Sequence, residues 1–263
     1  MKLFSPDSAH WYQRDGVPLH TVPSLKGDPR PTTLRDARKL GLLPSVTNIL
    51  GVIAKPELTA WLQEQAVMAA LTLPRIPGEK EDAFAKRVVA DSQSIRDNAA
   101  DFGTAFHSGA ERVAQSLEVD LQHPAADWLW YYRDWYQANV STLHWTEKVL
   151  VHEEWGYAGT ADLFITHPVH GLTLVDFKTT KLKPGTKFAP YKSWGYQLAA
   201  YRRALGEPVR CLNLVINSLE PSAPIEHLWS EEDMARGWAA FEAARRLWCI
   251  EKNYDPAALP LAA

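Results

Sequence analysis

A change of hydrophobic periodicity near residue 144 constrains the fold of this chain more than any other feature. Three apolar runs with β-like spacing, at 144–152, 159–166 and 172–178, follow one another across turn residues at 154–157 and 167–171. Strands joined by turns of a few residues pair side by side with their neighbours along the chain. The pattern therefore predicts an antiparallel meander of three strands.

Helical spacing is found on both sides of this meander. The predicted helices cover 56–71, 79–118 with a break near Gly103, 125–140, 190–205 and 230–250. A further β-like run, at 209–217, follows the fourth of these helices. A right-handed crossover through that helix would allow the run to pair beside a strand of the meander.

The expected fold class is α/β (α+β), with a central mixed sheet flanked by helices. Its core order is helix, three-strand meander, helix, strand. We expect an N-terminal arm and helical elaboration over residues 1–100 and the core over 101–263, forming one compact unit. Within the first part, 1–44 is predicted to be an irregular arm, and Ser45 is a candidate N-cap for a following helix.

Length and cysteine content favour a cytoplasmic protein. No apolar run among the 263 residues reaches the length of a membrane span, and the N-terminus lacks the apolar region of a signal peptide. The two cysteines, Cys211 and Cys249, are too few for a disulfide framework or a four-cysteine cluster. We therefore expect a reducing compartment, no membrane partner and no iron–sulfur cluster.

Charge is informative locally rather than globally. The net charge of −3 does not indicate a nucleic-acid binder. However, the stretch 177–206 contains no acid, and a second basic group lies near residues 30–39. Charge runs are usually solvated faces, but this one begins beside candidate catalytic residues and favours an anionic substrate. The basic residues of the acid-free stretch are Lys178, Lys181, Lys183, Lys187, Lys192, Arg202 and Arg203.

Two carboxylates and a lysine lie on successive predicted strands. Asp162 follows Gly159-Thr160-Ala161, whereas Asp176 and Lys178 are two apart and point to the same face of their strand. Phe177 between them points to the opposite face, and its carbonyl could supply a further oxygen ligand. Carboxylates bind hard cations such as Mg²⁺, and a lysine beside the cation orients or deprotonates a water. The alternatives are an aspartate that caps backbone amides and a surface Asp–Lys pair.

Other polar residues are ambiguous when taken alone. Gln197 and Tyr201 are four apart and share a helix face, as catalytic support or as a half-exposed pair. His107 is either a ligand, with Glu111 orienting its ring, or a packing residue. Glu147 lies mid-strand and faces either the site or solvent. His167 and His170 flank a Pro-Val turn and are interpreted as turn surface.

The helix 125–140 is rich in aromatic residues. Such side chains either stack nucleobases or pack in a core, and at helical spacing packing is the commoner use. They are Trp128, Trp130, Tyr131, Tyr132, Trp135 and Tyr136.

Taken in order, these residues resemble a known family. His107, Gly159-Thr160-Ala161-Asp162, Val175-Asp176-Phe177-Lys178 and Gln197 with Tyr201 are similar to the motifs of the PD-(D/E)XK nuclease superfamily. The likeness is to its RecB-like exonuclease branch and, within it, to phage and prophage exonucleases. It covers about Thr104 to Tyr201, and 44–61 also looks like the N-terminal region of the phage proteins. Asp176 departs from the commoner glutamate.

The resemblance implies a restriction-endonuclease-like core and a Mg²⁺-dependent DNA exonuclease, with Mn²⁺ as a substitute. It implies His107, Asp162, Asp176 and the Phe177 carbonyl as metal ligands. It also implies Lys178 as the catalytic lysine, Gln197 and Tyr201 as its supporting helix residues, and Glu147 as the strand glutamate.

In this interpretation Lys181, Lys183, Lys187 and Lys192 contact DNA, and the N-terminal basic group assists them. A single-strand-annealing or recombination protein is an expected partner. The competing functions are a non-catalytic DNA-binding module on a nuclease fold and a structure-specific endonuclease.

Overall fold

The computed structural model of the chain describes residues 10–258 apart from 184, 186 and 187, with only the backbone at 95–98. The strands are β1 (Trp11–Tyr12), β2 (Thr21–Pro23), β3 (Pro29–Pro31), β4 (Leu43–Pro44), β5 (Thr142–His152), β6 (Tyr157–His167), β7 (Gly171–Thr180), β8 (Arg210–Asn217) and β9 (Ile225–Leu228). The helices are α1 (Leu34–Leu40), α2 (Val46–Leu50), α3 (Pro56–Thr72), α4 (Glu81–Ala114), α5 (Ala126–Asn139), α6 (Lys192–Leu205) and α7 (Glu231–Lys252), followed by a 3-10 turn at Pro256–Ala258.

Five strands form a mixed sheet in the order β5-β6-β7-β8-β9. β5, β6 and β7 are antiparallel neighbours, which confirms the predicted meander. β8 pairs in parallel with β7 after the chain returns through α6, so that Asp176 lies opposite Asn213. β9 then pairs antiparallel with β8 and was not predicted, because four residues with two polar side chains carry little strand signal. The fold is thus mixed α/β, with helices flanking a five-stranded sheet.

The predicted helices are present, with one difference in α4. This helix runs unbroken from Glu81 to Ala114, across both the expected break at Gly103 and the expected boundary after residue 100. A Cβ at Gly103 would lie 3.3 Å from the Thr179 side chain. Gly103 therefore allows α4 to approach β7 closely. The expected helix break is wrong, because the glycine makes room for the strand and the helix continues through it.

The N-terminal region is more regular than predicted. β1 pairs with β4, β2 pairs with β3, and α1 begins at a capping box formed by Thr33 and Asp36. Arg30 donates two hydrogen bonds to the same Asp36 carboxylate, at 2.7 and 2.8 Å. The expectation of an irregular arm over 1–44 is therefore wrong for residues 10–44, because local caps and strand pairs order a segment that has little periodicity; residues 1–9 lie outside the described part of the chain. The predicted cap at Ser45 is confirmed.

Each face of the sheet carries its own core. On one face Phe164 and Leu174 pack with Leu198 of α6 and Phe241 of α7, together with residues of α2. On the other face side chains of the same strands pack with α4 and α5, including Phe106, Tyr132, Leu163, Val175 and Phe177. Alternation along the strands produces this division. Across the part of the chain that the structure describes, we find no helix with the length and hydropathy needed to cross a bilayer.

Candidate active site

The predicted carboxylates and lysine meet at adjacent positions of β6 and β7. Lys178 Nζ lies 2.7 Å from Asp176 Oδ2, which confirms that these two side chains share a face. Phe177 points the other way and is buried, with its ring against Phe106 and Tyr132. The strand therefore anchors itself in one core while it presents two charged groups on the opposite face.

Asp162 is buried and links the two strands. Its Oδ2 accepts a hydrogen bond from the Phe177 backbone N–H at 2.6 Å, while its Oδ1 lies 3.4 Å from His107 Nδ1. A carboxylate buried in an apolar strand is costly unless it is paired. Here one oxygen is satisfied by the neighbouring strand and the other faces the site. Asp162 is thus positioned within the site and does not cap the Gly156–Gly159 turn.

His107, Glu147 and Asp162 place ligand atoms within 4.8 Å of one another. His107 Nδ1 is 3.8 Å from Glu147 Oε1, so the ring faces these carboxylates. Glu111 does not orient the ring as expected, since its Oε1 accepts from Gln115 instead. Of the two alternatives for Glu147, the structure supports the site-facing one.

The backbone of Glu147 is unusual for a strand residue. Its φ is 48°, a value that non-glycine residues adopt at a cost of about 1–3 kcal/mol. The residues on either side keep their pairing with Leu163 and Ala161 of β6, so Glu147 lies opposite Asp162. A strained conformation held between two regular pairs is typical of a side chain that is aimed at a functional site.

Three carboxyl groups, those of Glu147, Asp162 and Asp176, lie close together in the site. Burial raises the pKa of Asp176, and the nearby Asp162 carboxylate adds to the effect against the opposing influence of Lys178. Burial likewise raises the pKa of Glu147. Burial would lower the pKa of His107, but Asp162, Glu147 and Asp176 together raise it to about 10. Burial is thus the largest cause for the two carboxyl groups, whereas the raised pKa of His107 reflects the carboxylates gathered around its ring.

A divalent cation fits this donor set. Carboxylate oxygens are ligands of Mg²⁺ and Mn²⁺, and the imidazole adds a nitrogen ligand of the kind that later transition metals favour. The ligand atoms that cluster are those of His107, Glu147 and Asp162. Asp176 lies on the neighbouring strand, where its Oδ2 contacts Lys178 and Asn213. A bound cation would supply the positive charge that the site lacks and would displace the proton from His107.

The two predicted residues of α6 form a hydrogen-bonded chain that begins at Lys178. Lys178 Nζ donates to Gln197 Oε1 at 3.0 Å, and Gln197 Nε2 donates to the Tyr201 hydroxyl at 3.0 Å. The shared helix face of Gln197 and Tyr201 is confirmed. A Cβ at Gly159 would lie 2.7 Å from Tyr201 Cε1, so this glycine is required for the tyrosine to pack against β6.

Asn213 and Trp229 belong to the same network and were not predicted. Asn213 is fully buried, and its Nδ2 donates to Asp176 Oδ2 at 2.7 Å and to the Asp176 carbonyl at 3.2 Å. Trp229 Nε1 in turn donates to Asn213 Oδ1 at 2.7 Å. An asparagine inside the apolar run of a central strand was the available signal, because such a residue needs buried partners.

The predicted DNA-binding lysines lie in the segment that follows β7. Lys181, Lys183 and Lys192 are exposed, and Lys187 lies outside the described residues. The start of this segment is fixed, since Asn217 at the end of β8 bonds both backbone groups of Leu182, at 2.9 and 3.2 Å. In the N-terminal basic group, Arg30 is paired with Asp36 and Arg38 donates to the Lys252 carbonyl.

His167, His170 and Glu226 form a second cluster, on the other face of the sheet from Asp162. His167 is buried, so the interpretation as turn surface is wrong for this residue. Its Nδ1 accepts the backbone N–H groups of Val169 and His170, at 3.1 and 3.2 Å. A neutral ring that accepts through Nδ1 carries its proton on Nε2, and that nitrogen is then not a ligand. His167 therefore caps the β6–β7 turn.

The aromatic helix mainly builds the core, as the commoner alternative expects. Tyr132 and Trp135 of α5 are buried, and Trp128 Nε1 bonds the Asn217 carbonyl. Trp130 and Tyr131 are exposed.

Comparisons with known proteins add little. No family model and no curated protein matches the chain. Among the solved structures that match, one described as "Crystal structure of SSO0001" is 15% identical and has a TM-score of 0.28. The match covers 78% of this chain and 98% of that one. A likeness at this level carries no argument about the fold or the function of this chain.

Proposed function

We propose that the chain is a Mg²⁺-dependent DNA exonuclease of the RecB-like branch of the PD-(D/E)XK superfamily. The observation that carries the proposal is the continuous network from Asp162 and Asp176 through Lys178 to Gln197 and Tyr201. A surface Asp–Lys pair needs neither buried carboxylates nor a glutamine that fixes the lysine. A binding module would need only the basic residues.

His107, Asp162, Asp176 and the Phe177 carbonyl would hold the cation, with Glu147 beside them. When bound, Mg²⁺ or Mn²⁺ supplies charge neutralisation for a scissile phosphate and lowers the pKa of a water. The chain's own contribution is a rigid set of oxygens, because Asp162 is fixed by the Phe177 N–H and Asp176 by Asn213.

Lys178 is the residue that orients the attacking water. An ammonium group has three donors, and among the described residues Asp176 and Gln197 take two of them. The remaining N–H is available for a water or a phosphate oxygen at the mouth of the site. Gln197, supported by Tyr201, holds the lysine in one orientation. This lowers the entropic cost of positioning the lysine for the reaction.

The acid-free segment after Lys178 supplies the DNA contacts. Lys181, Lys183, Lys187 and Lys192 would bind backbone phosphates without sequence preference, which suits an enzyme that moves along a strand. A recombination or single-strand-annealing protein remains the proposed partner.

One assay separates this proposal from its competitors. End-labelled linear DNA and covalently closed circles are incubated with the protein in Mg²⁺ or in EDTA. The exonuclease degrades the linear DNA alone and only in Mg²⁺. Nicked circles would indicate an endonuclease, and retained DNA binding without any product would refute the enzyme.

The variant Lys178→Ala tests the site. We expect cleavage to fall by at least about 100-fold, the lower end for a positioned proton-transfer or orienting group, with DNA binding largely retained. The exposed Lys26→Ala is the matched control and should cleave normally. Unchanged cleavage by Lys178→Ala would show that the site is wrongly assigned.

A further inference from the structure

Three aromatic rings surround the start of α6, directly after the basic segment. The Tyr191 and Trp194 rings meet edge to face with centroids 5.2 Å apart, and Phe188 is roughly parallel to Trp194 at 6.3 Å. Trp194 is partly packed against the core of α6 and α7, whereas Tyr191 is 49% exposed. Packing therefore fixes the Trp194 ring, whereas the Tyr191 ring is exposed to solvent.

These rings lie close to the proposed catalytic lysine. Trp194 is three residues before Gln197, so both lie on one side of α6 and are separated by about 4.5 Å along its axis. Gln197 is itself hydrogen-bonded to Lys178. A group that stacks on Trp194 would thus sit about one helical turn from Gln197 and near a phosphate bound by Lys178.

The segment that carries the rings favours an anionic ligand. No aspartate or glutamate occurs from 177 to 206, and the exposed Lys181 and Lys183 precede the aromatic residues while the exposed Lys192 lies between Tyr191 and Trp194. Aromatic rings that alternate with lysines are the usual means of binding a single strand, because bases stack while phosphates pair with ammonium groups. In a duplex the bases are stacked on one another, so their faces are not accessible to such rings.

We propose that Phe188, Tyr191 and Trp194 form a stacking platform for an unpaired base of the substrate strand, next to the scissile phosphate. The inference rests on the proposed nuclease function and narrows it: the strand that enters the site is single-stranded DNA. The platform would hold the strand end while Lys178 and the carboxylates act on its backbone.

Binding to a cleavage-deficient protein tests the platform. Fluorescence anisotropy in the Lys178→Ala background compares labelled oligothymidylate with an abasic strand of equal length. Loss of one stacked base corresponds to about 5- to 150-fold in affinity. We expect Tyr191→Ala to weaken oligothymidylate binding within this range and to leave abasic binding unchanged. Tyr191→Phe should bind like the parent, since it keeps the ring.

The controls separate this proposal from the catalytic one. Tyr131→Ala removes a comparably exposed tyrosine from α5 and should have no effect on either strand. Equal binding of oligothymidylate by the Tyr191→Ala protein and its parent would overturn the platform, whatever the cleavage assay shows. If Tyr191→Ala weakens binding but the protein with Lys178 intact cleaves nothing in Mg²⁺, the stacking platform stands and the nuclease proposal is refuted.

Discussion

Asn213 offers the sharpest test of how the site is held together. The change Asn213→Leu keeps the size of a side chain that is fully buried in β8. It removes the donor to Asp176 Oδ2 and leaves Trp229 Nε1 without its acceptor. A hydrogen bond to a charged group contributes about 1.5–3 kcal/mol, and an unpaired buried N–H costs about 1–3 kcal/mol. We expect a loss of about 2.5–6 kcal/mol in the free energy of unfolding.

A double-mutant cycle isolates the part that belongs to Asp176. Asp176→Ala, Asn213→Leu and the double variant are unfolded in urea at pH 8 with EDTA, followed by circular dichroism. We expect a coupling energy of about 1.5–3 kcal/mol, because the charged acceptor is present only with Asp176. Additive effects within about 0.5 kcal/mol would refute the reasoning. Calorimetry with Mn²⁺ should also show weaker binding to Asn213→Leu, since Asp176 is no longer oriented.

Two further predictions follow from the packing and charge of the site. In Gly159→Ala the new methyl group would meet Tyr201 at 2.7 Å, so we expect a loss of about 1–3 kcal/mol in urea unfolding, together with reduced cleavage as Tyr201 moves from Gln197. Unchanged stability would show that the tyrosine has room to move. The pKa of His107 is raised to about 10, above the unfolded value of 6.5. Its stabilising effect in metal-free protein is complete below pH 6.5 and is lost as the pH rises through about 10. The difference in urea midpoint between the parent and His107→Gln should therefore shrink between pH 6 and pH 10; a constant difference would contradict the charge assignment.

The parts of this molecule that were predictable depend on local spacing. Asp176 and Lys178 are two residues apart on a strand, and Gln197 and Tyr201 are four apart on a helix, so their shared faces follow from backbone geometry. Meander strands with short turns are local for the same reason.

Long-range geometry accounts for what was missed. Asn213 reaches Asp176 only because β8 returns in parallel to one particular register, which no local pattern specifies. The positive φ of Glu147 likewise depends on the pairs at either side. At Gly103 the local signal was misleading, since the absent side chain makes room for β7 rather than ending α4.

The unbroken course of α4 has a mechanical consequence. Its 34 residues make a helix about 50 Å long that is buried in the core near Phe106 and contacts the largely exposed α3. A tilt of about 10° around Phe106 would move the tip, about 38 Å away, by about 7 Å. His107, one residue from Phe106, would hardly shift. Such a lever would let the outer ends of α3 and α4 move while His107, Glu147 and Asp162 keep their spacing.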